Sequence, residues 1–160
     1  KTRIRTSMAI EIERKFLVQA PPISSWGKGV SIKQGYLARG REATARVRVF
    51  GQQGFLTIKG KTEGISRQEF EYEIPLADAE ALLAICEGGL ISKQRWHITV
   101  DQHVWEIDMF SGDNEGLIVA EIELNDANES FSHPSWLGEE VSHDPKYFNG
   151  ALSRHPFKQW

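Results

Sequence analysis

Eight stretches of this 160-residue sequence alternate polar with apolar residues, and short turn sequences separate several of them. Alternate side chains of an extended strand project from opposite faces of a sheet, whereas an amphipathic helix repeats its apolar residues every three or four positions. GQQG, KTEG and SGDNEG, which lie between runs, carry the Gly, Asn and Asp that tight turns favour. The pattern predicts eight strands, with the ranges 9–18, 30–39, 44–50, 54–61, 67–74, 91–100, 103–110 and 116–124.

Two parts of the chain depart from this alternation. Residues 75–89, PLADAEALLAICEGG, space their apolar side chains as a helix does, which predicts a helix that Asp78 caps and that ends at Gly88 or Gly89. Residues 125–160 contain three prolines and predict short helices only. Eight strands with few helices predict an α+β chain that is mainly β, namely an eight-stranded antiparallel β-barrel with a few peripheral helices.

Charged residues in seven of the eight runs are spaced two apart, so that each set shares one face of its strand. Acids predominate in the first, fifth, seventh and eighth runs, and bases in the third, fourth and sixth. The sets are Glu11, Glu13 and Lys15; Arg46 and Arg48; Lys59 and Lys61; Glu69, Glu71 and Glu73; Lys93 and Arg95; Glu106 and Asp108; and Glu121 and Glu123.

For any single run, the simpler interpretation is that the charged face meets solvent and the apolar face meets a core. Two properties of the whole set favour a charged interior instead. The intervening residues are large and apolar, as in Trp96, Ile98 and Trp105, and helices packed outside a barrel would cover them. The two signs are also segregated by strand, whereas a solubilising surface intersperses them. We therefore predict a barrel interior with cationic and anionic walls.

Such an interior suits a phosphorylated ligand together with a divalent cation. Arginine forks match phosphate oxygens, and lysine supplies a compact positive charge. Paired carboxylates without a cluster of Cys or His match a hard cation such as Mg²⁺ or Mn²⁺. The sequence contains neither GxxxxGK[ST] nor GxGxxG, so that side chains rather than a glycine-rich loop would hold the phosphates.

These motifs resemble, from Met8 onward, the CYTH or triphosphate tunnel metalloenzyme superfamily in its short bacterial branch. EIERK at 11–15 is similar to the ExExK signature of that family. It is followed in order by RxR, KxK, ExExE, KxR and a final ExE, and this ordered set is far more specific than ExExK alone. The resemblance implies an eight-stranded antiparallel barrel that forms a tunnel.

The resemblance also implies roles for individual residues. The implied ligands of Mg²⁺ or Mn²⁺ are Glu11, Glu13, Asp108, Glu121 and Glu123. The implied triphosphate-binding residues are Lys15, Arg46, Arg48, Lys59, Lys61, Lys93, Arg95 and Lys146, the last in a segment that plugs one tunnel end in relatives. Glu71, Lys93 and Arg95 are the expected catalytic residues, with Glu71 or a second ion near Asp108 positioning the attacking water. Tyr36 is either a contact at the tunnel mouth or a buried aromatic residue.

The expected function is metal-dependent hydrolysis of a linear triphosphate, with inorganic tripolyphosphate giving diphosphate and phosphate. Four alternatives stay open: an adenylate cyclase that converts ATP to cyclic AMP, a thiamine triphosphatase, an RNA 5′-triphosphatase, and a non-catalytic module that binds polyphosphate or nucleotides. The carboxylate rows favour an enzyme, because a module that only binds polyanions gains nothing from them without a metal.

Composition limits the partners and the location. The formal net charge is −3, which opposes binding to a nucleic acid duplex or an anionic membrane surface. No apolar run approaches the roughly 20 residues of a membrane span. The single cysteine, Cys86, suits a reducing cytoplasm. We therefore expect a cytoplasmic protein that has a small-molecule triphosphate substrate and can form a homodimer. Residues 1–7 are expected to be a vector-derived leader, and residues 8–160 to be one domain.

Overall fold

The computed structural model describes residues 10–160, and all eight predicted strands are present in it. The leader predicted for residues 1–7 lies outside the described residues. A ninth strand, which the sequence did not predict, follows near the C-terminus. The strands are β1 (Ile10–Val18), β2 (Val30–Arg39), β3 (Ala43–Phe50), β4 (Gln53–Gly60), β5 (Ser66–Ile74), β6 (Glu87–Val100), β7 (His103–Phe110), β8 (Ile118–Glu123) and β9 (Leu137–Glu140).

The first eight strands close into an antiparallel barrel, which confirms the predicted fold class. Neighbours follow the order β5, β4, β3, β2, β6, β7, β8 and β1, and pairing of β1 with β5 completes the circle. This closing seam is short, because only Ile10–Ile12 of β1 pair with Ser66–Gln68 of β5. β9 lies outside the circle and pairs with the later part of β1.

The helices are few and short, as expected for a barrel of this kind. They are α1 (Ile23–Trp26), α2 (Leu76–Leu83) and α3 (Asn149–Leu152), with 3-10 turns at Gly112–Asn114, Pro145–Tyr147 and Phe157–Gln159. Within residues 10–160, no helix has the length and apolarity that a membrane span requires.

The prediction for the helix at 75–89 was correct in its existence and wrong at both ends. No side chain caps its start, and Asp78 lies within its first turn. It ends at Leu83, because the chain from Glu87 onward joins β6 and extends the pairing with β2. Gly88 and Gly89 therefore belong to a strand, where sheet pairing overrides the helical pattern of the preceding residues.

The main hydrophobic core lies outside the barrel wall. Trp105, Ile107 and Ile122 are fully buried, and they belong to the outward face of β7 and β8. Loop residues Phe131 and Trp136 pack over this face, with ring centroids 5.6 and 5.5 Å from Trp105. This packing supplies the cover that the outward apolar residues need and leaves the interior to charged side chains.

Candidate active site

The charged faces of the strands point into one cavity of about 650 Å³ inside the barrel. Its walls come from strands all around the circle, together with a C-terminal segment (residues 145–151). The charged residues of the wall are Glu11, Glu13, Lys15, Arg39, Arg46, Arg48, Lys59, Arg67, Glu69, Glu71, Arg95, Glu106 and Glu121. The predicted charged interior is therefore present, although the chemical roles of its residues are a separate question.

Two carboxyl groups, those of Glu13 and Glu121, form a hydrogen-bonded pair on the β1–β8 side of the cavity. Burial raises the pKa of Glu13 well above its ordinary value, and the neighbouring Glu11 and Glu121 raise it further. Burial also opposes ionisation of Glu121, but Lys15, whose Nζ lies 3.6 Å from Oε1, holds the pKa of Glu121 below its usual range. Two adjacent carboxylates repel each other, and this repulsion favours the protonated form of Glu13.

Two arginines of β3 face the cavity from the opposite part of the wall. Arg48 donates from Nε to Oε1 of Gln34 at 2.8 Å. Arg46 Nη2 lies 3.3 Å from Thr57 Oγ1 and 3.7 Å from Glu71 Oε2. Burial lowers the pKa of Arg48 to about 9, and the nearby Arg46 and Arg95 lower it too. Nε of Arg46 and Nε2 of Gln34 are buried without a hydrogen-bond partner among the described residues, so this wall has donors to offer an anion.

Asp108 is held by two cations beneath the cavity wall. Arg95 donates to its two carboxylate oxygens at 2.7 and 2.8 Å, and Lys93 Nζ lies 2.8 Å from Oδ2. Asn149 Oδ1 accepts a further hydrogen bond from Lys93 at 3.0 Å. Burial lowers the pKa of Lys93 to about 7 in spite of Asp108. Burial raises the pKa of Asp108, but Arg95 and Lys93 together hold it below its usual range.

A second charge network spans the closing seam of the barrel. Glu11 is almost fully buried, and its Oε1 lies 3.7 Å from Lys59 Nζ and 3.4 Å from Arg67 Nε. Lys59 Nζ also lies 3.5 Å from Oε2 of Glu69. These contacts link β1, β4 and β5 at the place where only three residue pairs join β1 to β5. The Glu11 carboxylate therefore neutralises cations of the wall.

Residues 9–149 match the family model of the CYTH domain. The chain belongs to the CYTH domain family. It is 46% identical over 154 residues to the inorganic triphosphatase of Acetivibrio thermocellus, with 96% of this chain and 99% of that protein covered. It is 37% identical over 147 residues to the inorganic triphosphatase of Nitrosomonas europaea, with 89% and 96% covered. The family resemblance inferred from EIERK and the later motifs is thereby confirmed.

Solved structures with a similar fold include an inorganic triphosphatase. The structure of the inorganic triphosphatase NE1496 matches with a TM-score of 0.65 at 35% identity, covering 89% of this chain and 97% of that one. A structure described as a putative adenylate cyclase from Bacillus halodurans matches with a TM-score of 0.52 at 17% identity, covering 75% and 84%. The second likeness shows the fold alone.

Five residues expected in the site of this CYTH domain do not line the main cavity: Lys93 and Asp108 lie beneath its wall, and three others lie elsewhere. Lys61 is exposed beyond the end of β4. Lys146 packs over the ring of Trp160, with Nζ 4.4 Å from the centroid. Glu123 is exposed and lines a smaller cavity of about 370 Å³, which shares Glu13 and other acidic residues with the first. Sequence parity predicts the face on which a residue lies. It does not predict where the strand ends, and a residue beyond that end no longer borders the cavity.

The five predicted metal ligands lie in different surroundings, and their role as ligands stays a prediction. Within residues 10–160, no three His, Cys, Asp or Glu side chains form a group that could hold a metal ion. Glu11 and Asp108 face cations, and Glu123 lies at the smaller cavity. The pair that the CYTH barrel does bring together is Glu13 and Glu121.

Four charged residues of the cavity wall had no role in the predicted site, namely Arg39, Arg67, Glu69 and Glu106. Parity had already placed Glu69 and Glu106 on charged faces, and it could have identified Arg67, which shares the inward face with Glu69. Arg39 could not be found in this way, because a β-bulge in β2 reverses the alternation just before it. Tyr36, for which two positions stayed open, is buried and also lines the cavity.

Proposed function

We propose that this chain is a metal-dependent triphosphatase that hydrolyses inorganic tripolyphosphate to diphosphate and phosphate. The observation that carries the proposal is that one cavity contains the arginines of β3 and, on its far side, the carboxyl pair of Glu13 and Glu121. Two relatives named inorganic triphosphatase align over nearly the whole chain, which supports the same activity.

The Glu13–Glu121 pair fits a single Mg²⁺ or Mn²⁺. A divalent ion would relieve the repulsion between the two carboxyl groups, which contributes to the raised pKa of Glu13. Mg²⁺ usually takes one or two protein carboxylates and completes its shell with water and substrate phosphate oxygens, so that two carboxyl groups suffice. Such an ion supplies neutralisation of the phosphate charge and in-line orientation. We assign Glu13 and Glu121 as its ligands.

The phosphates would be held by cations of the wall, chiefly Arg46, Arg48 and Arg95, with Lys15 and Lys59 adding charge. Arg46 and Arg48 lie opposite uncharged residues of β2, namely Tyr36 and Gln34, so that neighbouring strands do not neutralise them by direct pairing. Their guanidinium groups offer several donors in a fixed plane, which suits phosphate oxygens. Binding of this kind fixes the chain for attack and stabilises the negative charge of the transition state.

Glu71 and Lys93 receive different roles. Glu71 borders the cavity, accepts a hydrogen bond from Thr57 Oγ1 at 3.1 Å and lies beside Arg46, so it is placed to orient an attacking water. The Lys93 side chain has no exposed surface, and its contacts are Asp108 and Asn149. Lys93 therefore acts as a positioning residue that holds Asp108, and through it Arg95, in place.

Phosphate release tests the function directly. The chain is incubated with tripolyphosphate, ATP or thiamine triphosphate in Mg²⁺ or Mn²⁺, and cyclic AMP is measured beside phosphate. We expect phosphate from tripolyphosphate that depends on the metal and is lost on chelation. Absence of turnover with either metal would refute an enzymatic role and leave the binding module, whereas cyclic AMP from ATP would establish the cyclase instead.

Two variants test the assignment of Glu13 and Glu121 as metal ligands. Glu13→Gln and Glu121→Gln should each lower kcat/KM on the order of 100-fold or more, because a metal supplies several kcal/mol of charge stabilisation. Glu115→Gln removes a carboxylate from an exposed position and serves as the matched control. Normal activity of both cavity variants would reject the assignment. A homodimer, a cytoplasmic location and the lack of duplex or membrane partners stay predictions.

A further inference from the structure

Arg39 reaches the cavity through a shift in strand register. Tyr36 lies opposite Arg46, but the next partners are Ala38 with Ala45 and Arg39 with Thr44. Simple alternation from Tyr36 would turn Ala38 inward and Arg39 outward. The bulge reverses this, because Ala38 is exposed whereas Arg39 lines the cavity.

The guanidinium of Arg39 sits between β2 and the C-terminal segment. Its centre lies 4.7 Å from the ring centroid of Tyr36. Nη1 donates to the Gly150 carbonyl at 2.9 Å, and Nη2 donates to Ser153 Oγ. Nε is buried and has no hydrogen-bond partner in the part of the chain that the structure describes. All contacts of this cation are with neutral groups.

The other cations of the wall are mostly neutralised by carboxylates. Lys15 pairs with Glu121, Lys59 with two glutamates and Arg95 with Asp108. Among residues 10–160, Arg39 has no carboxylate oxygen within 4.0 Å, and neither has Arg48. Burial lowers the pKa of both arginines, and nearby cations lower it further, namely Arg154 for Arg39, and Arg46 and Arg95 for Arg48. An anion would therefore be stabilised most at these two positions.

Arg39 also extends a row of arginines along the wall. It lies opposite Thr44, and Arg46 and Arg48 follow Thr44 on the same face of β3. Positions two apart on a strand are separated by about 7 Å. The row therefore runs from the region of the C-terminal segment, at Arg39, toward Gln34, at Arg48. A chain of three phosphates is longer than a chain of two, so that its outer phosphate extends farther toward Arg39 when the other phosphates contact Arg46 and Arg48.

We propose that Arg39 binds the terminal phosphate of a linear triphosphate and makes the cavity prefer three phosphates over two. The inference rests on the proposed function, since it concerns the same substrate and cavity. Nε of Arg39 would donate to the phosphate, while Gly150 and Ser153 keep the guanidinium in place. The selectivity follows from the position of this one cation.

Calorimetric titration of the full chain with tripolyphosphate and with diphosphate, in the absence of metal, tests the proposal without turnover. Arg39→Met should raise the Kd for tripolyphosphate on the order of tenfold, as expected for loss of a hydrogen bond to a charged group. The Kd for diphosphate should change less than threefold. Arg39→Lys, which retains the charge but loses the fork, should fall between. Arg41→Met removes an exposed arginine two residues away and is the matched control.

Ser153→Ala separates ligand binding from support of the C-terminal segment. It removes one of the two hydrogen-bond acceptors of the Arg39 guanidinium and leaves the positive charge and the bond to the Gly150 carbonyl. If Arg39 serves only to hold the segment, Ser153→Ala will weaken tripolyphosphate binding as much as Arg39→Met does, and the proposal is wrong. It is equally wrong if Arg39→Met and Arg39→Lys bind tripolyphosphate as the unmodified chain does, or lose both ligands alike. If tripolyphosphate binding depends on Arg39 as expected but no phosphate is released, the proposed enzymatic function is wrong and the proposed binding site stands.

Discussion

Replacement of Asp108 by asparagine distinguishes two roles for this carboxylate. The sequence motifs imply a metal ligand, whereas the structure surrounds Asp108 with Arg95 and Lys93. A metal ligand in a protein without metal is a source of repulsion, so its neutralisation should leave stability unchanged or raise it. An internal counter-charge is required whether or not a metal is present, and its neutralisation should lower stability. Asn has nearly the same shape, which keeps packing out of the comparison.

The expected loss of stability on Asp108→Asn follows from the contacts of the Asp108 carboxylate. The three cation contacts of Asp108 are between 2.7 and 2.8 Å, and the side chains of Lys93 and Asp108 are 0% and 3% exposed. Removal of one partner from a buried ion pair typically lowers the free energy of unfolding by about 3–5 kcal/mol. Lys93 reduces the loss of stability, because its pKa of about 7 falls further without Asp108 and the side chain can become neutral. Arg95 keeps its charge, so we expect about 3 kcal/mol, with a greater loss at pH 6 than at pH 8.

Urea unfolding in a chelating buffer measures this quantity, with Asp113→Asn at an exposed position as the control. Titration of both variants with Mn²⁺ then reports metal affinity. The counter-charge role predicts a lower midpoint for Asp108→Asn and little change in the affinity for Mn²⁺. Equal or higher stability of Asp108→Asn without metal, together with a large loss of Mn²⁺ affinity, would refute the reasoning and restore the role implied by the motifs.

Two further results are expected. Lys61→Ala and Lys146→Ala should leave the KM for tripolyphosphate within twofold of normal, because neither side chain lines the cavity. Arg48→Ala should raise this KM on the order of tenfold or more. Equal effects of the three substitutions would contradict these positions. Burial raises the pKa of Glu106, but Arg95 and His97 lower it to about 2, so Glu106 contributes stability above pH 4.5 that is lost as the pH falls toward 2. Glu106→Gln should flatten the fall in thermal midpoint between pH 4.5 and 2, and an unchanged slope would dismiss this contribution.

Strand faces were predictable because parity is a local property. Arg46 and Arg48 share a face in any extended conformation, and the apolar residues between them are too large to leave uncovered. Partners across the barrel were not predictable, because they depend on register. Asp108 has the sequence context of a metal ligand, yet the pairing of β6 with β7 sets it directly opposite Arg95. The bulge that turns Arg39 inward is likewise a product of strand pairing.

Register also explains where the barrel interior remains charged. Four cations lie directly opposite carboxylates on neighbouring strands, namely Lys15 with Glu121, Lys59 with Glu69, Arg67 with Glu11 and Arg95 with Asp108. Cross-strand pairs of opposite sign stabilise a sheet and leave little net charge.

The pairing fails at two places, and these are the places where a ligand is needed. Acids meet acids where β8 pairs with β1 and β7, since Glu13 lies opposite Glu123 and Glu106 opposite Glu121. The arginines of β3 meet only uncharged residues of β2. In the circular order, β3 is four strands from β8, which is half the circumference of the barrel. The acid-rich strands and the arginines of β3 therefore lie on opposite sides of the barrel, so that a cation bound at the acids and a polyanion bound at the arginines would face each other across the cavity.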